Sequence, residues 1–340
     1  MSGMETTDVF RRPMKDLRIS VTDRCNYRCR YCMPLDQYVW IEKRELLTFE
    51  EIVRLARLFV DLGVGRIRIT GGEPLVRRDL DRLLGDLSKI GGLKDLSLTT
   101  NGSFLARSAP ALKRAGLRRI NVSLDTLDPD KFRAITKRGR LEDVLEGILA
   151  ARDTGMAPIK INTVVIRGIN DDEIMDLVEY SREHGLQARF IEYMDVGNAN
   201  DWSLERTVTK QEILDRIRSR YPLEAVGREE SRAPAVNYRF LDGAGQIGII
   251  GSVTEPFCST CSRVRLTADG QMVTCLFASG GHDLKRLLRG GSSDVEIRSF
   301  LERVWSVRED RFSDRRWQQI RTDGYHRKDH RKIEMITLGG

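Results

Sequence analysis

The chain has 340 residues, 40% of them hydrophobic and 31% charged, with a formal net charge of +7 at pH 7. That length and apolar content suit one large α/β domain with an extension, or two domains. No apolar run is long enough to span a bilayer, and the polar stretch Met1–Arg12 lacks the apolar core of a signal peptide, so a cytoplasmic protein with no membrane partner is expected.

In chain order, Leu17 to Val21 is the first strand-like run, and Cys25, Cys29 and Cys32 follow it in the spacing C-x3-C-x2-C. Thr48 and Glu51 have the spacing of a capping box, and Ile52, Leu55, Ala56, Phe59 and Val60 give the helix to about Leu62 its apolar stripe. Gly63 stands where a C-terminal cap belongs. Arg66 to Thr70 reads as the second strand and ends in Gly71-Gly72-Glu73-Pro74. A helix from Asp79 to about Ile90 leads to a strand at Asp95–Thr100 and the turn Asn101-Gly102. Then come a helix near Ala106–Ala115, a strand at Arg119–Leu124 and a helical stretch at Leu141–Asp153. A strand at Ile159–Val165, a helix from Asp171 to about His184 and a strand at Gln187–Tyr193 close the series.

Six strand-like runs alternating with helices form the pattern of a parallel sheet with right-handed crossovers. Six units fall short of the eight in a closed barrel. The expected fold is α/β: an incomplete (β/α)6 TIM-type barrel over residues 10–195. Over residues 196–307 the pattern becomes that of a smaller C-terminal α+β domain. It has a helix at Thr209–Arg220, one hairpin at Val236–Phe240 and Gln246–Ile250, and another at Arg263–Thr267 and Met272–Leu276. Two short helices follow near Asp283–Leu288 and Ser293–Val304. Residues 308–340 are a charged tail, expected to be mobile, ending in Gly339-Gly340.

The motifs sit where such folds bind ligands, at the carboxyl ends of strands. Thiolates are soft ligands that suit iron–sulfur clusters, zinc or copper(I). Cys25, Cys29 and Cys32 have no fourth cysteine nearby, so on a [4Fe–4S] cube they leave one iron open to a substrate or cosubstrate. Gly71 and Gly72 let the backbone approach a ligand closely, and Glu73 offers a carboxylate to an ammonium group. The second triplet, Cys258, Cys261 and Cys275, is spaced C-x2-C-x13-C and again lacks a fourth ligand, which favours a second [4Fe–4S] cluster over an incomplete zinc ribbon. Six cysteines in two triplets make a poor disulfide framework and a good metal one. Arg263 and Arg265, two apart on a strand, point to one face and make a phosphate clamp.

The C-x3-C-x2-C spacing resembles that of the radical S-adenosylmethionine (SAM) enzymes. In them SAM chelates the open iron, and the glycine-rich segment holds its amino group. Asp16-Leu17-Arg18-Ile19-Ser20, the run Ile67 to Pro74, and the second triplet with Arg263 to Gly270 narrow the likeness. Together they are similar to the GTP 3′,8-cyclase family of molybdenum-cofactor biosynthesis. The resemblance implies SAM contacts at Tyr31, Gly72, Ser123 and Met194, and GTP contacts at Arg18, Arg68, Thr99, Lys160, Arg263 and Arg265. It implies two [4Fe–4S] clusters, the second binding guanine, and radical chemistry carried by SAM and the clusters with no catalytic side chain. It also implies a one-electron donor and a cyclic pyranopterin monophosphate synthase that uses the product, and it leaves a homodimer open. The terminal Gly-Gly is implied to reach into the site, and Ser262 stands where that family usually has Asn. Two other readings fit the cysteines: a two-cluster radical SAM enzyme acting on a peptide or another anionic substrate, and a zinc-bearing nucleic-acid-binding protein.

Overall fold

The computed structural model describes residues 6–33, 37–322 and 324–339. The first six strands are β1 (Asp16–Ser20), β2 (Arg66–Thr70), β3 (Asp95–Thr100), β4 (Arg119–Ser123), β5 (Ile159–Val165) and β6 (Gln187–Glu192). They pair in chain order and in parallel. The crossovers carry α1 (Phe49–Asp61), α2 (Leu80–Ser88), α3 (Leu105–Arg114), α4 (Pro129–Thr136), α5 (Leu141–Asp153) and α6 (Ile174–Glu183).

Local chemistry sets these boundaries. Thr48 Oγ1 accepts from the Glu51 amide at 3.1 Å, and the Glu51 carboxylate accepts from the Thr48 amide at 2.8 Å, a complete capping box for α1. Gly63, at φ +101°, turns the chain out of that helix. Ile52, Leu55, Ala56 and Phe59 are fully buried against the sheet. Each such large side chain contributes on the order of 1.5–3 kcal/mol.

The C-terminal part adds α7 (Lys210–Arg218), β7 (Leu223–Gly227), β8 (Val236–Phe240), β9 (Gln246–Ile250), β10 (Arg263–Leu266), β11 (Gln271–Val273) and β12 (His282–Asp283). Helices α8 (Leu284–Arg289), α9 (Asp294–Ser306), α10 (Phe312–Arg321) and α11 (Met335–Leu338) follow. Both expected hairpins form, and their strands extend the barrel sheet instead of building a separate layer. β9 lies parallel to β6 at one edge and β10 parallel to β1 at the other. The parallel run is thus β10-β1-β2-β3-β4-β5-β6-β9, with antiparallel strands beyond each end, and no pairing joins β12 to β7 among the described residues. Helix α4 and strand β7 were not expected.

The tail corrects the sequence reading. Its charge suggested a solvated, mobile segment, yet Arg308, Arg316 and Lys332 are buried and α10 packs against the turn at Cys258–Thr260. Phe277 and Phe312 stack at 4.5 Å, and Tyr325 and His330 stack at 5.4 Å. Charge did not keep the segment in water because each buried cation has an acceptor in the body. Among the described residues no helix is long and apolar enough to cross a membrane.

Candidate functional site

Strand alternation sorts the barrel into two faces. Leu17, Ile19, Ile67, Ile69, Leu98 and Ile120 point outward into the core under the helices. Their neighbours in sequence point inward and are polar or charged, so the barrel encloses a hydrophilic cavity. Asp16 accepts two bonds from Arg66, at 2.6 and 3.0 Å, and Asp95 pairs with Arg119. These two pairs are balanced in charge, with Arg263 added beside Asp16 by strand register.

The next layer is not. Strand register sets Arg265 beside Arg18 and Arg18 beside Arg68, across three adjacent parallel strands. None of the three has a carboxylate within ion-pair distance among the described residues. Burial, then Arg265 and Arg68, pulls the Arg18 guanidinium well below its usual range. Burial, then Arg263, draws Arg265 down to about 10. Arg189 on β6 is buried too, with its Nε unpartnered, and is lowered to about 9 by burial and then Arg68. Neighbouring strands lie about 4.8 Å apart, and like charges opposite one another destabilise a sheet. The described residues supply this row with no neutralising carboxylate, and an anion bound there would relieve the repulsion.

All six cysteines are free thiols and line one cavity of about 1930 Å³, measured out to its open mouth. Every residue expected at the site lines this space except Lys160. Lys160 lies in an adjoining recess of about 900 Å³, which shares Arg18, Arg68, Arg189 and Arg263 with the main cavity. The two triads belong to different walls, one on the loop after β1 and the other with Cys258 and Cys261 between β9 and β10 and Cys275 just after β11.

The thiols fit clusters by their chemistry. Cys25 Sγ accepts from the Tyr27 amide at 3.4 Å and the Asn101 amide nitrogen at 3.9 Å. Cys261 Sγ accepts from Arg263 at 3.3 Å and Arg308 at 3.5 Å. Burial works against the Cys261 thiolate, but those two guanidiniums prevail and bring the thiol down to about 6. Burial pushes Cys25 up to about 11 and Cys275 up to about 12. Among the described residues no three of His, Cys, Asp and Glu converge as ligands of a single ion. Ligands of a cube bind different irons and stand further apart.

The first triad is framed by backbone. A Cβ on Gly72 would lie 2.4 Å from the Arg24 carbonyl oxygen, so only glycine fits there. Glu73 accepts from Thr100 Oγ1 and the Asn101 amide, both at 2.7 Å, and from the Leu75 amide at 2.9 Å. Burial nevertheless lifts its carboxyl to about 7. Tyr31 donates to Asp125 at 2.6 Å, and Asp125 is raised to about 6 by burial. Ser123 ends β4 opposite Asn162, and the Met194 carbonyl accepts from Asn200 at 3.3 Å.

The second triad is braced from both chain ends. Arg12 donates to the Cys258 carbonyl at 2.7 Å and Arg308 to the Cys261 carbonyl at 3.0 Å, and Asp8 pairs with both arginines. Ser262 donates to Asp16 at 2.6 Å, tying β10 to β1. Arg265 donates to the Leu338 and Gly339 carbonyls at 3.3 and 3.0 Å. Gly339 therefore packs against two residues that line the cavity, Arg265 and Thr70, and a Cβ on it would sit 2.4 Å from Thr70 Cγ2. Gly340 lies outside the described residues.

Sequence reasoning missed Arg189, Asp125, Glu229 and Arg308. A lone cation in the apolar run of β6 was a signal for Arg189. The others carry none, because their roles arise from strands and loops distant in sequence.

Two family models cover most of the chain: the radical SAM superfamily over residues 19–181, and molybdenum cofactor synthesis C over residues 186–314. A GTP 3′,8-cyclase of Acidothermus cellulolyticus is 45% identical, with 98% of each chain covered. One from Staphylococcus aureus is 44% identical over the same shares. Among solved structures, Streptococcus suis SuiB bound to S-adenosylmethionine superposes with a TM-score of 0.59 at 17% identity, over 85% of this chain and 68% of that one. Native anSMEcpe with bound AdoMet gives 0.53 at 14% identity, over 83% and 81%. These two likenesses show the fold.

Proposed function

This chain belongs to the GTP 3′,8-cyclase family of radical SAM enzymes, and from that membership we propose that it converts GTP to 3′,8-cyclo-7,8-dihydroguanosine 5′-triphosphate, the first step of molybdenum-cofactor biosynthesis. Its cofactors are SAM and a [4Fe–4S] cluster, for which Cys25, Cys29 and Cys32 are the ligands we assign; Cys258, Cys261 and Cys275 hold a second. When bound, the first cluster and SAM would supply hydrogen-atom abstraction at C3′ of GTP, with C3′ joining C8 of guanine and one further electron and a proton completing the product.

The protein's work is positioning and exclusion of water. Tyr31, Gly72, Ser123 and Met194 hold SAM on the barrel side, residues 10–195. Arg263 and Arg265, from residues 196–307, face them with GTP between. Arg18, Arg68, Thr99 and Lys160 receive its ribose and phosphates. The observation that carries this reading is the row Arg265–Arg18–Arg68, which no carboxylate of the described residues neutralises. A triphosphate brings about four negative charges to it, and guanidinium forks match phosphate oxygens. A neutral peptide leaves the row unpaired, and a nucleic-acid duplex does not reach cations inside a barrel. Two electrons, one for SAM cleavage and one to complete the cyclised product, come singly from a one-electron donor in the cytoplasm, and the product passes to the cyclic pyranopterin monophosphate synthase.

Anaerobic incubation with GTP, SAM and dithionite tests the reading. We expect 5′-deoxyadenosine and a cyclised GTP in equal amounts by mass spectrometry. Deoxyadenosine formed without any GTP-derived product means a different substrate.

A further inference from the structure

The recess beside the arginine row is closed by a loop, residues 228–235, between β7 and β8. Arg228 folds this loop on itself, donating to the Ala233 and Pro234 carbonyls at 2.6 and 2.7 Å. Its ion pairs to the barrel wall come from two adjacent carboxylates. Glu229 meets Lys160 at 2.9 Å and Arg119 at 3.1 Å, and Glu230 meets Arg66. Both glutamates are about half exposed, whereas Lys160 is 8% exposed.

The wall cations differ in what else they hold. Arg66 and Arg119 keep strand-borne partners in Asp16 and Asp95. Lys160 has no carboxylate but Glu229 among the described residues. Strand carboxylates cannot leave without breaking the sheet, whereas a loop with no ladder hydrogen bonds moves readily. Glu229 and Glu230, carried on a loop and half exposed, therefore occupy the cations that a phosphate chain reaches next after Arg18 and Arg68.

We propose that Glu229 and Glu230 are a built-in counter-ion that substrate phosphates displace, opening the 228–235 loop and making entry selective for ligands that bring more negative charge than they replace. This rests on the reading that the phosphates of GTP lie along Arg18, Arg68 and Lys160. A nucleoside without phosphates gains nothing from the displacement, so the pair discriminates by charge and not by base.

The test uses anaerobic holoprotein and calorimetric titration with GTP and with guanosine. In the double variant Glu229→Gln, Glu230→Gln, GTP should bind about tenfold more tightly, since two competing charges near the phosphates are gone. Guanosine affinity should stay within twofold. With the unaltered protein, GTP should speed trypsin cleavage after Arg228 and Arg232, while guanosine should not. Protection of those sites by GTP, or an unchanged GTP affinity in the variant, overturns the proposal. If the unaltered protein binds guanosine as tightly as GTP, the phosphate reading of the recess fails first and takes the proposal with it.

Discussion

Lys160 shows how one buried side chain sets a condition on binding. Burial, then the nearby Arg189, lowers its ammonium to about 8, with Glu229 acting in the opposite direction. The charged form is the one that serves a phosphate. Below pH 8 the free protein already carries that charge; as pH rises through 8 it must take up a proton to bind. GTP affinity should therefore be flat from pH 6.5 to 7.5 and fall by up to about tenfold per unit above pH 8. In Lys160→Met the affinity should be low throughout and lose this slope, which calorimetry at pH 7, 8 and 9 reads directly. An unaltered slope in the variant places the titrating group elsewhere. Residues of this kind were only partly legible beforehand. Arg263 and Arg265 were readable because two cations at period two on a strand beside cysteines have few other uses. The environment that tunes Lys160 was not, since Arg189 and Glu229 reach it from other strands and loops.

At the scale of elements, the alternation of apolar residues located the six barrel strands to within a residue or two, because each helix stripe and strand face must bury against the other. It did not reveal where the C-terminal hairpins go: parallel pairing of β10 with β1 joins positions some 250 residues apart and leaves no local trace. It also misplaced the tail, since composition reports charge and not the partners of charge. Asp195, just after β6, is buried and bonded by Arg316, Lys332 and the Tyr325 hydroxyl. Burial opposes its ionisation, yet Arg316 and Lys332 hold its carboxyl below the usual range. Removing one charge from a buried cluster strands the others and costs roughly 3–5 kcal/mol. In Asp195→Asn the tail should come away, exposing it to trypsin within residues 315–331, and GTP turnover should drop with the loss of Gly339 from the cavity wall. Binding of SAM, which involves no tail residue in the reading above, should persist. If trypsin treats the variant and the unaltered protein alike, the tail is held by its aromatic stacking and not by this carboxylate.

The whole molecule joins two walls that could each stand for half a reaction. The first triad belongs to the loop after β1, the second to segments flanking β10 and β11 that arrive more than two hundred residues later, and the sheet brings them around one cavity because β10 completes the edge that β1 leaves open. This gives the two triads separable duties. Two full cubes require about eight irons per chain in anaerobically prepared protein. Cys258→Ala should retain about four, still cleave SAM when reduced, and form no cyclised GTP, because the Arg263–Arg265 wall loses the centre it is built around. Cys29→Ala should lose both SAM cleavage and product while keeping the iron of the second triad. The asymmetry in SAM cleavage is the informative result: loss of nearly all iron in either variant means that one cluster supports the other's folding, whereas normal product from Cys258→Ala removes the second triad from the reaction. The cavity's charge argues for the asymmetric outcome. Cys261 is the one thiol drawn down to about 6, by Arg263 and Arg308 against the effect of burial, and Arg263 is also assigned to the nucleotide, so loss of the second triad should be felt at the substrate before it is felt at the first cluster.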